Sequence, residues 1–385
     1  MREFTRSNRL GVIVINKYLM LLTLFLLVGC AGLENSGNNS ESSKTDNQED
    51  SQPISEKQPS GSEAVSGSSE IEVIASNLNA PWEIVQFNEA IYISERPGSI
   101  AKIVENEVIK KPVHLEKSLA DRPEAGLLGL AFPDSFVENK EAFAYYSYAN
   151  EQGVFQRIVT IQEKDNQWVE TGVLIDEIPG GNYHQGGRIE IGPDQKIYAT
   201  TGDATNPDLA QDLDSLAGKI LRINQDGTIP NDNPFEDSYL YTLGHRNPQG
   251  LAWDEAGNLY ATEHGNQAHD EINRIRPGNN YGWPEIEANQ TRDGMEVPLV
   301  YSDEFTWAPS GMTFLNGEFY FASLRGEAIR RFDVESASQE IILDGYGRIR
   351  DVLATEAGVY FITNNTDGRG NPSDQDDRLL LIKKD

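Results

Sequence analysis

The chain has 385 residues, with 61 acidic against 32 basic side chains for a net charge of −29, and one Cys. A single thiol excludes a disulfide scaffold, and so acidic a surface repels nucleic-acid phosphate, so no nucleic-acid partner is expected. That length holds one large domain or two ordinary ones.

Residues 1–17 carry Arg2, Arg6, Arg9 and Lys17 against Glu3, and an apolar run follows from Tyr18 to Gly29. Twelve helical residues reach about 18 Å, short of the roughly 30 Å hydrocarbon core. A basic stretch before a short apolar one predicts a secretion leader over residues 1–30. Cys30 follows Leu27-Val28-Gly29 and resembles a bacterial lipobox, whose Cys becomes the lipidated N-terminus. The expectation is therefore an extracytoplasmic protein held to the membrane by a lipid. A buried core thiol is the competing reading, and the position of Cys30 at the end of the apolar run argues against it.

Residues 31–70 contain no aromatic side chain and carry a net charge of −6. They cannot bury enough apolar surface to offset ordering entropy, which predicts a disordered tether with a span of roughly 35 Å. The folded part is then 71–385, with a net charge of −26.

Within it a turn rich in Gly, Asn or Asp precedes a short alternating apolar strand centred on an aromatic. The pattern recurs six times, at 88–95, 140–149, 194–203, 257–265, 316–326 and 357–365. The mean spacing, about 50 residues, is that of a four-stranded propeller blade. Long helical periodicity is scarce and turn residues are frequent, which predicts an all-β six-bladed β-propeller. A two-sheet sandwich competes but does not require six evenly spread copies.

Four polar clusters sit beside these strands. Tyr183-His184-Gln185-Gly186-Gly187-Arg188 puts an imidazole between small residues, where it could act as general base or bond to loop backbone. Gly244-His245-Arg246-Asn247-Pro248 offers a guanidinium fork for a carboxylate or a developing oxyanion, or a structural bridge between blades. Glu263-His264-Gly265-Asn266, Asp270-Glu271 and Asn279-Asn280-Tyr281 supply hard oxygens for Ca²⁺, or an acidic solvated loop. His264 and His269 lack the HExxH spacing of zinc proteases. Arg348 and Arg350 share a strand face and repel unless an anion or neighbouring acids lie between them.

Taken together, EAGLLGLAF (124–132), YHQGGRIEIGPDQKIYATTGD (183–203), GKILRINQDGTIPNDNPF (218–235), GHRNPQGLAW (244–253), DEINRIRPGNNYGWP (270–284), APSGM (308–312) and RIRDV (348–352) resemble the soluble quinoprotein glucose, aldose-sugar and sorbosone dehydrogenases. The resemblance runs from about residue 77 to 384. It implies a six-bladed propeller that holds pyrroloquinoline quinone (PQQ) and Ca²⁺ and oxidises the C1 hydroxyl of aldoses to lactones, passing electrons to an external acceptor.

By the same resemblance His184 is the general base and Arg246 stabilises the quinone oxygen that gains charge. Asn247 binds the adjacent oxygen, and Arg325, Arg348 and Arg350 hold the cofactor's carboxylates. Gly265 and Asn266 present carbonyls to the catalytic Ca²⁺, while Asp270, Glu271 and Tyr281 match a further calcium region. Glu124, Gln211 and Trp307 fall on the substrate side. Tyr183 stands where glucose-oxidising members have Asp, and Arg325 where they have Lys, so glucose specificity is not implied. A calcium-dependent propeller lactonase and a noncatalytic carbohydrate- or protein-binding propeller are the alternatives; the first leaves Arg348 and Arg350 without a task.

Overall fold

The computed structural model describes residues 70–384, and these are nearly all β. The expected leader, lipidation at Cys30 and nearly all of the tether lie outside the described residues. Among the described residues no helix is long and apolar enough to cross a membrane.

After β1 (Ile71–Ala75), the strands β2 (Pro81–Phe87), β3 (Ala90–Glu95), β4 (Ser99–Val104) and β5 (Glu107–His114) form an antiparallel meander. A second meander comprises β6 (Leu127–Ala131), β7 (Glu141–Asn150), β8 (Gly153–Lys164) and β9 (Gln167–Gly180). A short parallel pairing, Val113 with Trp168 and His114 with Val169, joins β5 to β9 and makes one eight-stranded sheet of the two.

Three four-stranded sheets follow. The first has β10 (Ile189–Ile191), β11 (Ile197–Thr201), β12 (Lys219–Ile223) and β13 (Leu240–Leu243). Next come β14 (Pro248–Trp253), β15 (Leu259–Glu263), β16 (Glu271–Ile275) and β17 (Val300–Tyr301). The third has β18 (Pro309–Leu315), β19 (Glu318–Ser323), β20 (Ala328–Asp333) and β21 (Ser338–Asp344). The last sheet combines β22 (Ile349–Thr355), β23 (Gly358–Thr363) and β24 (Leu379–Lys383) with β1, so the chain's two ends share a sheet.

The six sequence repeats fall on β3, β7, β11, β15, β19 and β23, the second strand of each meander. These strands are apolar on both faces because each sheet packs between two others. One cluster joins Tyr92 and Ile100 to Tyr146 and Trp168, and the next joins Phe143 and Ile158 to Ile197 and Leu221. Equivalent clusters link each later sheet to the next. A sixth packs Ile84 and Ile93 against Ile362 and Leu379, which brings the first meander onto the last.

Candidate active site

In every meander the start of the first strand pairs with the end of the second. Pro81 lies opposite Glu95, Leu127 opposite Tyr146, Ile189 opposite Ala199, Pro248 opposite Glu263, Pro309 opposite Ser323 and Ile349 opposite Thr363. Antiparallel pairing therefore puts the segments entering first strands and those leaving second strands at one end of their sheet. The first group carries Glu124, His184, Arg246, Asn247, Trp307 and Arg348. The second carries Arg96, Asp203, His264, Arg325 and Asn364.

His184 sits at φ +60°, a left-handed conformation uncommon for a side-chain-bearing residue. Two carboxylates hold it there. Its backbone N–H donates to Glu124 Oε2 at 2.8 Å, and its Nδ1 lies 2.8 Å from Asp203 Oδ1. Asp203 also accepts from Trp283 Nε1 at 2.9 Å and from the Thr205 backbone at 2.8 Å. An ionised carboxylate can only accept, so Nδ1 carries a proton, and the neutral ring would present its lone pair at Nε2. Gly202 is required beside it, since a Cβ there would stand 1.9 Å from the His184 carbonyl oxygen.

Asp203 connects His184 to the next group. Its backbone N–H donates to the Arg246 carbonyl at 2.8 Å, and the Arg246 guanidinium lies 5.4 Å from the Trp283 ring centre. Burial lowers the Arg246 pKa, against the pull of Asp203 and Glu263. Its Nε is buried without a partner among the described residues. Asn247 is buried and accepts from the Gly186 N–H at 2.9 Å through Oδ1, which leaves its NH₂ as the donor end.

The arginine side is built differently. Arg348 Nη2 lies 3.1 Å from Asp367 Oδ2, so one of the pair is met by an acid. Arg350 is not. Its fully buried guanidinium bonds to Gln249 Oε1 at 2.8 Å and more loosely to Ser310 and Asn364, all of them neutral. Burial pushes its pKa down to about 9. A buried cation without a counter-ion is expensive, and an anionic ligand removes that penalty. Arg350 lines a cavity with Trp82, Arg96, Glu124, Gln185, His264 and Arg369.

A second cavity lies against the first and shares His264 with it. Burial drives the His264 imidazole down to about 3, and its Nε2 has no partner among the described residues, so it is neutral with a nitrogen left over. This second cavity is lined by Arg246, Gly265, Asn266, Tyr281 and three acids, Glu263, Glu271 and Glu287. Burial and the facing Glu263 raise Glu271 to about 8. Among the described residues no three His, Cys, Asp or Glu side chains are arranged to hold a metal ion.

Other expected site residues are placed less directly. Asp270 organises a turn: Oδ2 accepts from the backbone of Trp307 at 2.5 Å and of Ala308 at 2.8 Å, and Oδ1 from Gly265 at 3.0 Å. It lines neither cavity, so its carboxylate serves the loop and not a ligand. The Tyr281 hydroxyl is spent on the Arg274 carbonyl and the Arg276 N–H, and its ring stacks on His245. Gln211 braces the Trp283 carbonyl at 2.6 Å and acts on Asp203 only through that residue. Trp307 is packed in the core against Phe321 with Arg330 over its ring, and Arg325 is exposed.

Sequence reasoning missed Asp203, Trp283 as a ligand of Asp203, Arg96, Asp367 and Arg369. Asp203 closes the Thr-Thr-Gly-Asp strand end 19 residues after His184, and a strand-ending acid beside a Gly reads as a turn. Its position at the same strand end as Glu263 was the available signal.

The family profile for Glucose / Sorbosone dehydrogenase matches residues 78–380. An uncharacterised Synechocystis protein is 31% identical over 77% of this chain and 84% of its own. Quinoprotein glucose dehydrogenase B of Acinetobacter calcoaceticus is 34% identical over 58% of this chain and 54% of its own length. Among solved structures, the PQQ-bound aldose sugar dehydrogenase of Streptomyces coelicolor aligns with a TM-score of 0.76 at 34% identity, covering 82% of this chain and 98% of that one. Convergent strand ends, an acid-oriented imidazole and a buried arginine without a counter-ion therefore stand in a chain that belongs to the glucose/sorbosone dehydrogenase family.

Proposed function

We propose that the protein is a PQQ-dependent aldose sugar dehydrogenase on a six-bladed propeller, each meander being one blade and the β1–β24 pairing closing the ring. The observation that carries this reading is Arg350, a buried guanidinium with neutral partners only, in a cavity wall it shares with Glu124, whose carboxylate accepts from the His184 backbone N–H.

The residues present fit a flat polyanion. Arg350 and Arg348 would take its carboxylates, with the exposed Arg325 at the rim. Arg246, Asn247 and the free Nε2 of His264 would meet its ring oxygens. When bound, the quinone supplies the two-electron acceptor for the hydride leaving C1. His184 Nε2 takes the C1 hydroxyl proton, so that proton and hydride leave the sugar together as the lactone forms. Asp203 holds the ring and stabilises the imidazolium that results. Arg246 would stabilise electrostatically the negative charge that grows on a quinone oxygen. Glu124 is at the same cavity wall and keeps the His184 backbone in place.

Ca²⁺ is proposed for the cavity beside Gly265 and Asn266. It would be held by the Gly265 and Asn266 backbone carbonyls, because the three acids lining the cavity are not arranged to hold an ion together and Glu263 is already bonded to His245 and the Arg246 N–H. The leader-like start and Cys30 support a lipid-anchored, extracytoplasmic enzyme that delivers electrons to an external acceptor.

The test is to add PQQ and Ca²⁺ to the purified protein and follow dye reduction with a panel of aldoses. Reduction that needs both additions, and falls by roughly 10²–10⁴-fold in His184→Ala, is the expected result. Lactone hydrolysis without quinone would support the lactonase instead.

A further inference from the structure

The loop between β23 and β24 lies outside all seven family-like segments, yet it reaches the site. Its base is pinned: the Asn365 N–H donates to Asp377 Oδ1 at 2.5 Å, Thr366 Oγ1 donates to Asp377 Oδ2 at 2.5 Å, and Asn365 Nδ2 donates to Asp376 Oδ2 at 3.2 Å. Its tip is Asp367-Gly368-Arg369. Gly368 turns at φ +87°, and the Arg369 N–H donates to Asp367 Oδ1 at 2.9 Å, so the two charged side chains diverge from a tight turn. Gly370 fits the turn against the chain beneath it, where a Cβ would lie 2.6 Å from Asn365 Cα and 3.0 Å from Arg348 Cδ.

One arm, Asp367, meets Arg348. The other crosses from the last sheet to the segment before β6. Arg369 Nη1 bonds to Glu124 Oε1 at 3.0 Å, its Nη2 reaches the Pro123 carbonyl at 3.4 Å, and its guanidinium lies 5.9 Å from the Tyr183 ring centre. Glu124 has one oxygen on Arg369 and the other on the His184 N–H. The segment that carries Glu124 is itself clamped by Arg96, which donates to the carbonyls of Pro123 and Ala125.

We propose that Arg369 is a positioning residue for the catalytic base: it fixes the Glu124 carboxylate, and Glu124 in turn holds His184 in its left-handed conformation, with Nδ1 on Asp203. Asp367 anchors the strap to the arginine that holds the cofactor, so loading the cofactor and aligning the base share one tripeptide. A residue at φ +60° relaxes unless neighbours over-determine it, and Arg369–Glu124–His184 is a chain of charge-assisted bonds that does so.

This inference rests on the reading of His184 as the base, and hydrogen exchange at the His184 amide in the cofactor-free protein tests it separately. Glu124→Ala should lower protection at that amide about tenfold, and Arg369→Gln should do so to a similar extent. The double variant should fall no further than Glu124→Ala alone, because both act through one bond. In dye reduction with PQQ and Ca²⁺, Arg369→Gln should lower kcat, and Arg369→Lys should restore most of it. Unchanged His184 protection in Arg369→Gln, or additive losses in the double variant, would overturn the proposal. Absence of quinone-dependent turnover in the unaltered protein would overturn the functional reading while leaving the exchange result to decide the strap.

Discussion

Arg188 and Arg350 are both buried, both lie against Trp82, and both bond to Gln249, yet their electrostatics are opposite. The Arg188 guanidinium is 4.4 Å from the Trp82 ring centre, donates from Nε to the Gln249 carbonyl, and sits 3.0 Å from both Glu83 Oε1 and Asp351 Oδ2. Arg350 is 5.9 Å from the same ring and donates to the Gln249 side chain, with no acid in contact. Burial works against charge at both sites. At Arg188 the acids Asp351 and Glu83 outweigh it and raise the pKa, while at Arg350 burial prevails. The protein thus completes one charged cluster internally and leaves the other guanidinium with neutral partners only.

The sharpest way to break that comparison is to remove each arginine in turn. Arg188→Leu strands Glu83 and Asp351 in the core and should lower unfolding free energy by about 3–5 kcal/mol, read from urea titration. The same titration on Arg350→Gln should show little change or a gain, since a lone buried cation is lost. PQQ affinity should instead fall by about ten- to a hundredfold, the value of a charge-assisted bond. If Arg350→Gln destabilises the ligand-free protein as much as Arg188→Leu does, the distinction between the two arginines fails.

Next in size is Asp203→Asn. The amide can offer NH₂ or oxygen to His184 Nδ1, so the tautomer is no longer imposed, and kcat should drop about a hundredfold while PQQ binding stays the same. Stopped-flow reduction of bound PQQ by sugar measures it.

The smallest effect concerns Glu190, which burial and nearby Asp351 raise from 4.5 to about 7. The folded state therefore binds a proton more tightly than the unfolded state. The stability from this group is full below about pH 4.5 and is lost as pH rises through 7. Urea midpoints at pH 5 and 7.5 should show that decline, and Glu190→Gln should flatten it.

Much of the architecture was legible because it repeats. An aromatic-centred strand after a polar turn leaves the same trace in every sheet, and the six copies all mark second strands. His184, Arg246 and Arg350 stood out as short polar motifs beside those strands, and their roles came from the family resemblance, not from spacing. Asp203, Asp367 and Arg369 did not stand out, because an acid after a Gly or an Arg in a polar loop has the composition of ordinary surface.

The pairing rule separates what each level determined. Composition and periodicity alone indicated short aromatic-centred strands, a strongly acidic chain and polar clusters beside the strands, since these follow from local geometry and solvation. Burial of the second strands on both faces came from the packing of sheet on sheet. Only the tertiary structure decided that Arg188 would find Glu83 and Asp351, that Arg350 would find no acid, and that Arg369 would cross to Glu124. Those partners lie between 105 and 245 residues apart along the chain, and contact between them is a property of how sheets close on one another, which no local pattern encodes.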